Sequence, residues 1–154
     1  MKEKPRIVFL DASTMDAGDI DFSPLRQFGT LILHKTTDHN QTLERIAEAD
    51  IAITNKVILD REILQQASSL SMITVCATGV NNIDLDAAKE NGITVTNVAG
   101  YSTSSVAQHT LSLLLNLSGN SHRYSQEASL WAESPIFTRL TYPMVELSGK
   151  TLGI

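Results

Sequence analysis

Lys56 stands directly after a short aliphatic run, with the amide of Asn55 beside it. Thr78, Gly79 and Val80 follow a second such run, and Tyr101, Ser102 and Thr103 come soon after a third. These residues supply a cation, an amide, several hydroxyls and a glycine whose bare backbone can approach a ligand closely. Tyr101, Ser102 and Thr103 also lead into a long helix-forming segment, and a helix N-terminus favours negative charge. Together they suit a small carboxylate. Each has a plainer reading as well. A lysine after a strand is often only solvated, Gly79 can serve a turn, and Tyr101 and Thr103 can cap and cover the helix. His109 on an apolar helix reads as a packed, hydrogen-bonded histidine. Cys76, inside an expected strand, reads as core. His34, His39 and His122 have no carboxylate or cysteine at metal-ligand spacing, which argues against zinc.

The loops share one edge only if the runs before them are parallel strands. Residues 6–11 (RIVFLD), 30–35 (TLILHK), 50–55 (DIAITN), 71–78 (SMITVCAT) and 93–97 (ITVTN) read as five short buried strands. Helical stretches lie between them. Leu43, Ile46 and Ala47 fall on one face of the first. Asp60 is a candidate N-cap for the second, whose apolar stripe is Ile63, Leu64 and Ala67. Asp84 can start the third, and Gly92 suits the left-handed residue after its end. Strands alternating with helices imply a parallel sheet, and strands without polar alternation imply cover on both faces. In such sheets ligands bind beyond the carboxyl ends of the strands, where all three loops lie.

A further helix is expected over residues 104–118, capped by Ser104 or Ser105. Val106, Ala107, Leu111, Leu113, Leu114, Leu115 and Leu117 spread around most of its circumference. An ordinary surface helix carries one apolar stripe; this one reads as a helix held between two bodies.

The chain has 154 residues, of which 42% are hydrophobic, and a net charge of -5. That charge offers no basic stripe for nucleic acid. No apolar run reaches the length of a membrane span, the segment Met1-Lys2-Glu3-Lys4-Pro5 has no signal-peptide character, and the one cysteine excludes an intrachain disulfide. The expectation is a cytoplasmic protein that binds neither nucleic acid nor membrane.

Residues 77–93 (ATGVNNIDLDAAKENGI), 95–115 (VTNVAGYSTSSVAQHTLSLLL) and 143–154 (PMVELSGKTLGI) strongly resemble the D-isomer-specific 2-hydroxyacid dehydrogenases. Residues 54–64 (TNKVILDREIL) and the GYSTSSVAQH start of the helix point to the glycerate dehydrogenase or hydroxypyruvate reductase branch. The resemblance implies an α/β fold: a flavodoxin-like parallel sheet with helices on both faces over residues 1–99. Residues 100–154 would then hold an interdomain helix, a dimerisation arm containing Trp131 and Phe137, and a Rossmann domain truncated at its first strand. The family's glycine fingerprint would follow after Ile154, so an N-terminal fragment or shortened reading frame is expected.

The activity implied is reduction of a small 2-keto acid, such as hydroxypyruvate or glyoxylate, with NAD or NADP as cofactor in the complete protein, as a homodimer. By the same resemblance Asn55, Lys56, Thr78, Gly79 and Val80 match the substrate rim, and Thr78, Thr103 and Val106 match positions near the cofactor. Val80 departs from the branch, which often has an aromatic residue there. The arginine, histidine and acidic residue of the family's catalytic set map to no residue of this chain. Two other readings compete: a non-enzymatic remnant that binds a small anion or dimerises, and a receiver-like signalling domain. The latter needs an aspartate at the end of the third strand, where Thr54-Asn55-Lys56 stands, and an acidic neighbour for Asp11.

Overall fold

A computed structural model of the chain describes residues 4–153. Met1, Lys2 and Glu3 lie outside the described residues. So does Ile154, the last residue of the stretch expected to enter a cofactor-lobe strand. The chain forms two compact units, one running through Tyr101 and the other starting at Ser102.

The first unit is built on five parallel strands: β1 (Arg6–Phe9), β2 (Thr30–Leu33), β3 (Ile51–Thr54), β4 (Met72–Val75) and β5 (Thr94–Asn97), in the order β2-β1-β3-β4-β5. This is the flavodoxin-like order, which reverses direction between β1 and β3. Every strand expected from sequence is present. Each is shorter than the run that announces it by one to four residues.

Side chains alternate across the strands and fill two cores. On one face, Val8, Ala52, Ile73 and Val75 pack with Ile46, Ile63, Leu64, Ala87 and Ala88. These come from α1 (His39–Ile46), α2 (Arg61–Gln66) and α3 (Leu85–Glu90). On the other face, Ile7, Phe9, Leu31 and Ile53 pack against Phe22 and Leu25. Both belong to or adjoin the 3-10 helix Ser23–Gln27. Phe22 meets Phe9 edge-on at 5.7 Å between ring centres.

The helix ends follow their sequence signals. Asp60 accepts from the N–H of Ile63 at 3.0 Å, and Asp84 from that of Ala87 at 2.8 Å. After α3, Gly92 has φ +70°, its N–H bonds to Lys89 O, and the N–H of Ile93 bonds to Ala88 O. That pair of bonds is a Schellman closure. Two details of α1 differ from expectation. Ala47 is exposed, and the buried partner of Ile46 is Thr42, whose hydroxyl donates to Asp38 O at 3.1 Å. A threonine can replace an apolar residue there because its hydroxyl is satisfied within its own helix.

The second unit contains α4 (Thr103–Gly119), α5 (Ser121–Gln126) and the 3-10 helix Ala128–Glu133. α4 begins one residue earlier than expected; its N-cap is Ser102, not Ser104 or Ser105, and Ser102 makes no side-chain capping bond. Asn120, at φ 52°, closes α4 and opens α5. No residue of α4 is buried. Residues 150–153 form no strand. Among the described residues no helix is long and apolar enough to cross a membrane.

Candidate functional site

The strand register sets one rim. Phe9 pairs with Ile53, Thr54 with Val75, and Val75 with Asn97. The loops after β1, β3, β4 and β5 therefore leave the sheet at nearly one level. Neighbouring strands lie roughly 4.8 Å apart, so the β3 and β4 loops are immediate neighbours. Asn55, Lys56, Thr78, Gly79 and Val80 are thereby brought to one edge. Thr103 and Val106 belong to the second unit, in the first turn of α4, and both are exposed there.

The β4 loop is fixed by its neighbours while its own amides stay open. The Thr78 hydroxyl donates to Val98 O at 3.2 Å, and the Asn97 side-chain amide donates to Thr78 O at 2.7 Å. The N–H of Val98 donates to Ala77 O at 3.0 Å. On the other side, the Asn82 side chain donates to Val57 O at 3.0 Å, and the N–H of Leu59 to Asn82 O at 2.9 Å. The loop is thus tied to the segments that follow β3 and β5. Among the described residues, nothing accepts from the N–H groups of Thr78, Gly79 or Val80. Thr78 and Gly79 are exposed, while the Val80 side chain packs against the core. Three successive amides of this loop thus have no protein acceptor among the described residues.

Gly79 does not occupy the left-handed region. A Cβ there would lie 2.9 Å from Asn81 Oδ1, the tip of a side chain that would have to shift.

The β3 turn offers the opposite arrangement. The N–H of Asn55 donates to Asp11 Oδ1 at 2.9 Å and to Oδ2 at 3.2 Å; that of Lys56 donates to Asp11 Oδ2 at 2.6 Å. The N–H of Val57 donates to the Thr54 hydroxyl at 3.0 Å. All three amides are consumed, so this turn presents side chains only. Lys56 is exposed, and among the described residues its ammonium makes no ion pair. Lys56 and the open amides thus stand on loops that leave neighbouring strands.

Cys76 sits at the rim, just past the end of β4, and is half-buried, not deep in the core. Burial pushes its thiol pKa up, and the negative charge of Asp11 adds to the effect. Three residues that shape the rim, Asp11, Asn82 and Asn97, are not among the site residues expected from sequence. Asp11 carried a usable signal as a carboxylate directly after the first strand, where the strand order turns. The two asparagines carried none, since their partners lie on neighbouring loops.

Two cavities lie away from the rim. One of about 540 Å³ is lined within the second unit by Tyr124, Trp131 and Arg139, among others. Another of about 690 Å³ is bounded by Lys4, Arg6, Thr30 and Asp50 at the amino ends of the strands. There the charges are spent on each other, with Arg6 paired to Glu48 and the Arg6 N–H bonded to Asp50 at 2.7 Å.

A parallel lobe with this strand order and a polar rim at its carboxyl ends is of the ligand-binding, doubly wound kind. The chain belongs to the D-isomer specific 2-hydroxyacid dehydrogenase family, whose catalytic-domain model it matches over residues 7–146. It is 35% identical over 154 residues to the hydroxypyruvate reductase of Blautia hydrogenotrophica. It is 32% identical over 151 residues to the glycerate dehydrogenase of Methylorubrum extorquens. Both alignments take in 97% of this chain but 48% of the relative, so the chain spans about half the length of these curated relatives. A solved NADPH-dependent glyoxylate/hydroxypyruvate reductase of Sinorhizobium meliloti, in complex with NADP and malonate, shares the fold. Its TM-score is 0.72 at 19% identity, over 97% of this chain and 45% of that one.

Proposed function

We propose that these residues are the substrate-binding half of an NAD(P)-dependent D-2-hydroxyacid dehydrogenase that reduces a small 2-keto acid of the hydroxypyruvate or glyoxylate type. The observation that carries this reading is the row of open amides at Thr78, Gly79 and Val80 beside the exposed Lys56. The amide N–H groups donate to the carboxylate of the keto acid, and Lys56, with Asn55 beside it, adds a cation and an amide at the edge. The names of the relatives that align along nearly the whole chain support the substrate class.

From its family membership we assign Thr78 in the first unit, and Thr103 and Val106 in the second, to the nicotinamide end of the cofactor; Thr103 and Val106 are exposed in the first turn of α4. No G-x-G-x-x-G sequence occurs in the 154 residues to cradle a pyrophosphate. When bound, the cofactor supplies the hydride. The Thr78, Gly79 and Val80 amides and Lys56 hold the acid by its carboxylate. We place the protein in the cytoplasm, acting as a homodimer through the arm that follows α4.

Amide chemical shifts of the chain under titration with glyoxylate test this. Thr78, Gly79 and Val80 are expected to move first, and shifts confined to other loops would refute the assignment. In the complete dehydrogenase, Gly79→Val is expected to raise the KM for the keto acid. Loss of one charge-assisted hydrogen bond costs roughly 1.5–3 kcal/mol, about ten- to a hundredfold. The 154 residues alone are expected to oxidise no NADH and to bind it weakly.

A further inference from the structure

In flavodoxin-like sheets the crevice at the β1/β3 reversal is the usual ligand position. Here Asp11 fills it. Its carboxylate is 3% exposed and accepts from two successive turn amides 44 and 45 residues away. The main chain around Asp11 is itself anchored. Leu10 N–H donates to Ile53 O at 2.9 Å, and the Asp11 carbonyl accepts from both the N–H and the hydroxyl of Thr14. A row of turn amides of this kind would otherwise attract an anion from solution; the protein supplies the anion from the loop after β1.

We propose that Asp11 is a positioning residue for the substrate rim: it holds the Asn55–Lys56 turn in the shape that presents the Lys56 ammonium, and it closes the strand-order crevice to anions, leaving the Thr78–Val80 amides as the place where a carboxylate binds. The inference rests on the function proposed above. Asp11 touches no substrate in this scheme and acts through the turn alone. The turn is consequently set before any ligand arrives, and no ordering is required on binding.

The test is steady-state kinetics with glyoxylate in the complete dehydrogenase, comparing Asp11→Asn, Lys56→Ala and the two together. Asparagine keeps the shape and one acceptor oxygen but loses the charge and the second acceptor. Lys56→Ala is expected to raise the KM for glyoxylate on the order of tenfold, the usual cost of one charge-assisted contact. Asp11→Asn is expected to raise it severalfold, with kcat and the KM for the nicotinamide cofactor within about twofold of wild type. Because Asp11 acts through Lys56, the pair should match Lys56→Ala alone. A merely structural role would instead move both KM values and add to the lysine effect. If Lys56→Ala raises KM and Asp11→Asn does not, the positioning role is overturned and the site stands. If Lys56→Ala leaves KM unchanged, both fall. Should the Asp11 variant not fold, hydrogen exchange on the unmodified protein decides. The Asn55 and Lys56 amides should be protected without any keto acid, and exchange at the rate of an open loop would overturn the proposal.

Discussion

The two units are held together by different forces. In the first, apolar side chains on both sheet faces find partners: Val8, Leu10, Ile46 and Ile73 are fully buried, and Leu64 nearly so. In the second, α4 has leucines in abundance and buries none of them. Leu111 is 54% exposed, Leu115 60% and Leu117 71%. What ties that unit's arm is polar. Glu127 accepts from Arg139 at 2.8 Å and from the Tyr142 hydroxyl. Tyr124 donates to Tyr142 O at 3.1 Å and meets its ring edge-on, while the Arg123 guanidinium lies 5.0 Å from the Tyr142 ring centre. Leucine content therefore says little about stability; a leucine contributes through what the topology brings against it.

The largest effect that could break this contrast comes from truncating a leucine in each unit. Leu64→Ala should cost about 2–5 kcal/mol, from lost transfer free energy and the cavity left behind. Leu117→Ala should change the stability of the chain by no more than about 0.5 kcal/mol. Urea denaturation of both variants makes the comparison. Equal costs would mean that the α4 leucines are covered in solution by something other than this chain's own fold. Exposed apolar side chains also favour association as concentration rises, so the urea comparison belongs at low concentration, while light scattering at high concentration is expected to find oligomers; a strict monomer there would count against this.

How far the sequence reaches differs between the units in the same way. The strands, the Asp60 and Asp84 caps and the Gly92 closure were all legible, because each depends on residues within one turn or one run. α4 was legible as a helix with apolar residues all round, but not in its cap, where Ser102 rather than its neighbours starts the helix. The rim was half legible. Lys56 and Gly79 announce themselves by type, whereas the bond from the Asn55 amide to Asp11 spans 44 residues and leaves no local pattern. Ala47 and Thr42 exchanged roles for a related reason: helical periodicity fixes which side a residue is on, but a hydroxyl bonded to its own helix can be buried where an alanine is not.

An intermediate effect concerns the arm. The Tyr142 hydroxyl, first, and the Arg139 guanidinium, next, hold the Glu127 carboxyl below the ordinary carboxylate range. Because its folded pKa is depressed, its contribution is present above the unfolded value and is lost as pH falls through the folded one. Near-ultraviolet circular dichroism from Tyr124, Tyr142 and Trp131 should therefore fade as pH falls below the ordinary glutamate range, before the far-ultraviolet signal of the sheet does. Glu127→Gln should already show the faded signal at neutral pH. If the two signals fade together in acid, the arm and the sheet lobe are not held by separate forces.

The smallest expected effect lies in the first unit, at a position where charge, and not packing, is the question. Asp60 caps α2, and its carboxyl is held below the ordinary aspartate range by the Ile63 N–H, first, and by His39, whose Nε2 lies 2.8 Å away. The side chain is 39% exposed, so solvent screens much of that interaction. Asparagine caps a helix about as well as aspartate. Asp60→Asn therefore keeps the cap and removes only the charge at the helix N-terminus, a change of about 0.3–1 kcal/mol at low salt and less at high salt. The sign follows from the depressed pKa. Wild type should exceed the variant in stability above the ordinary aspartate range, and the difference should vanish as pH falls below it, because the protonated acid and the amide are then both neutral. Urea midpoints across that range at two salt concentrations measure this directly. A difference that persists in acid would mean that Asp60 stabilises α2 through shape alone, and the contrast between an apolar lobe and a charge-held arm would sharpen further.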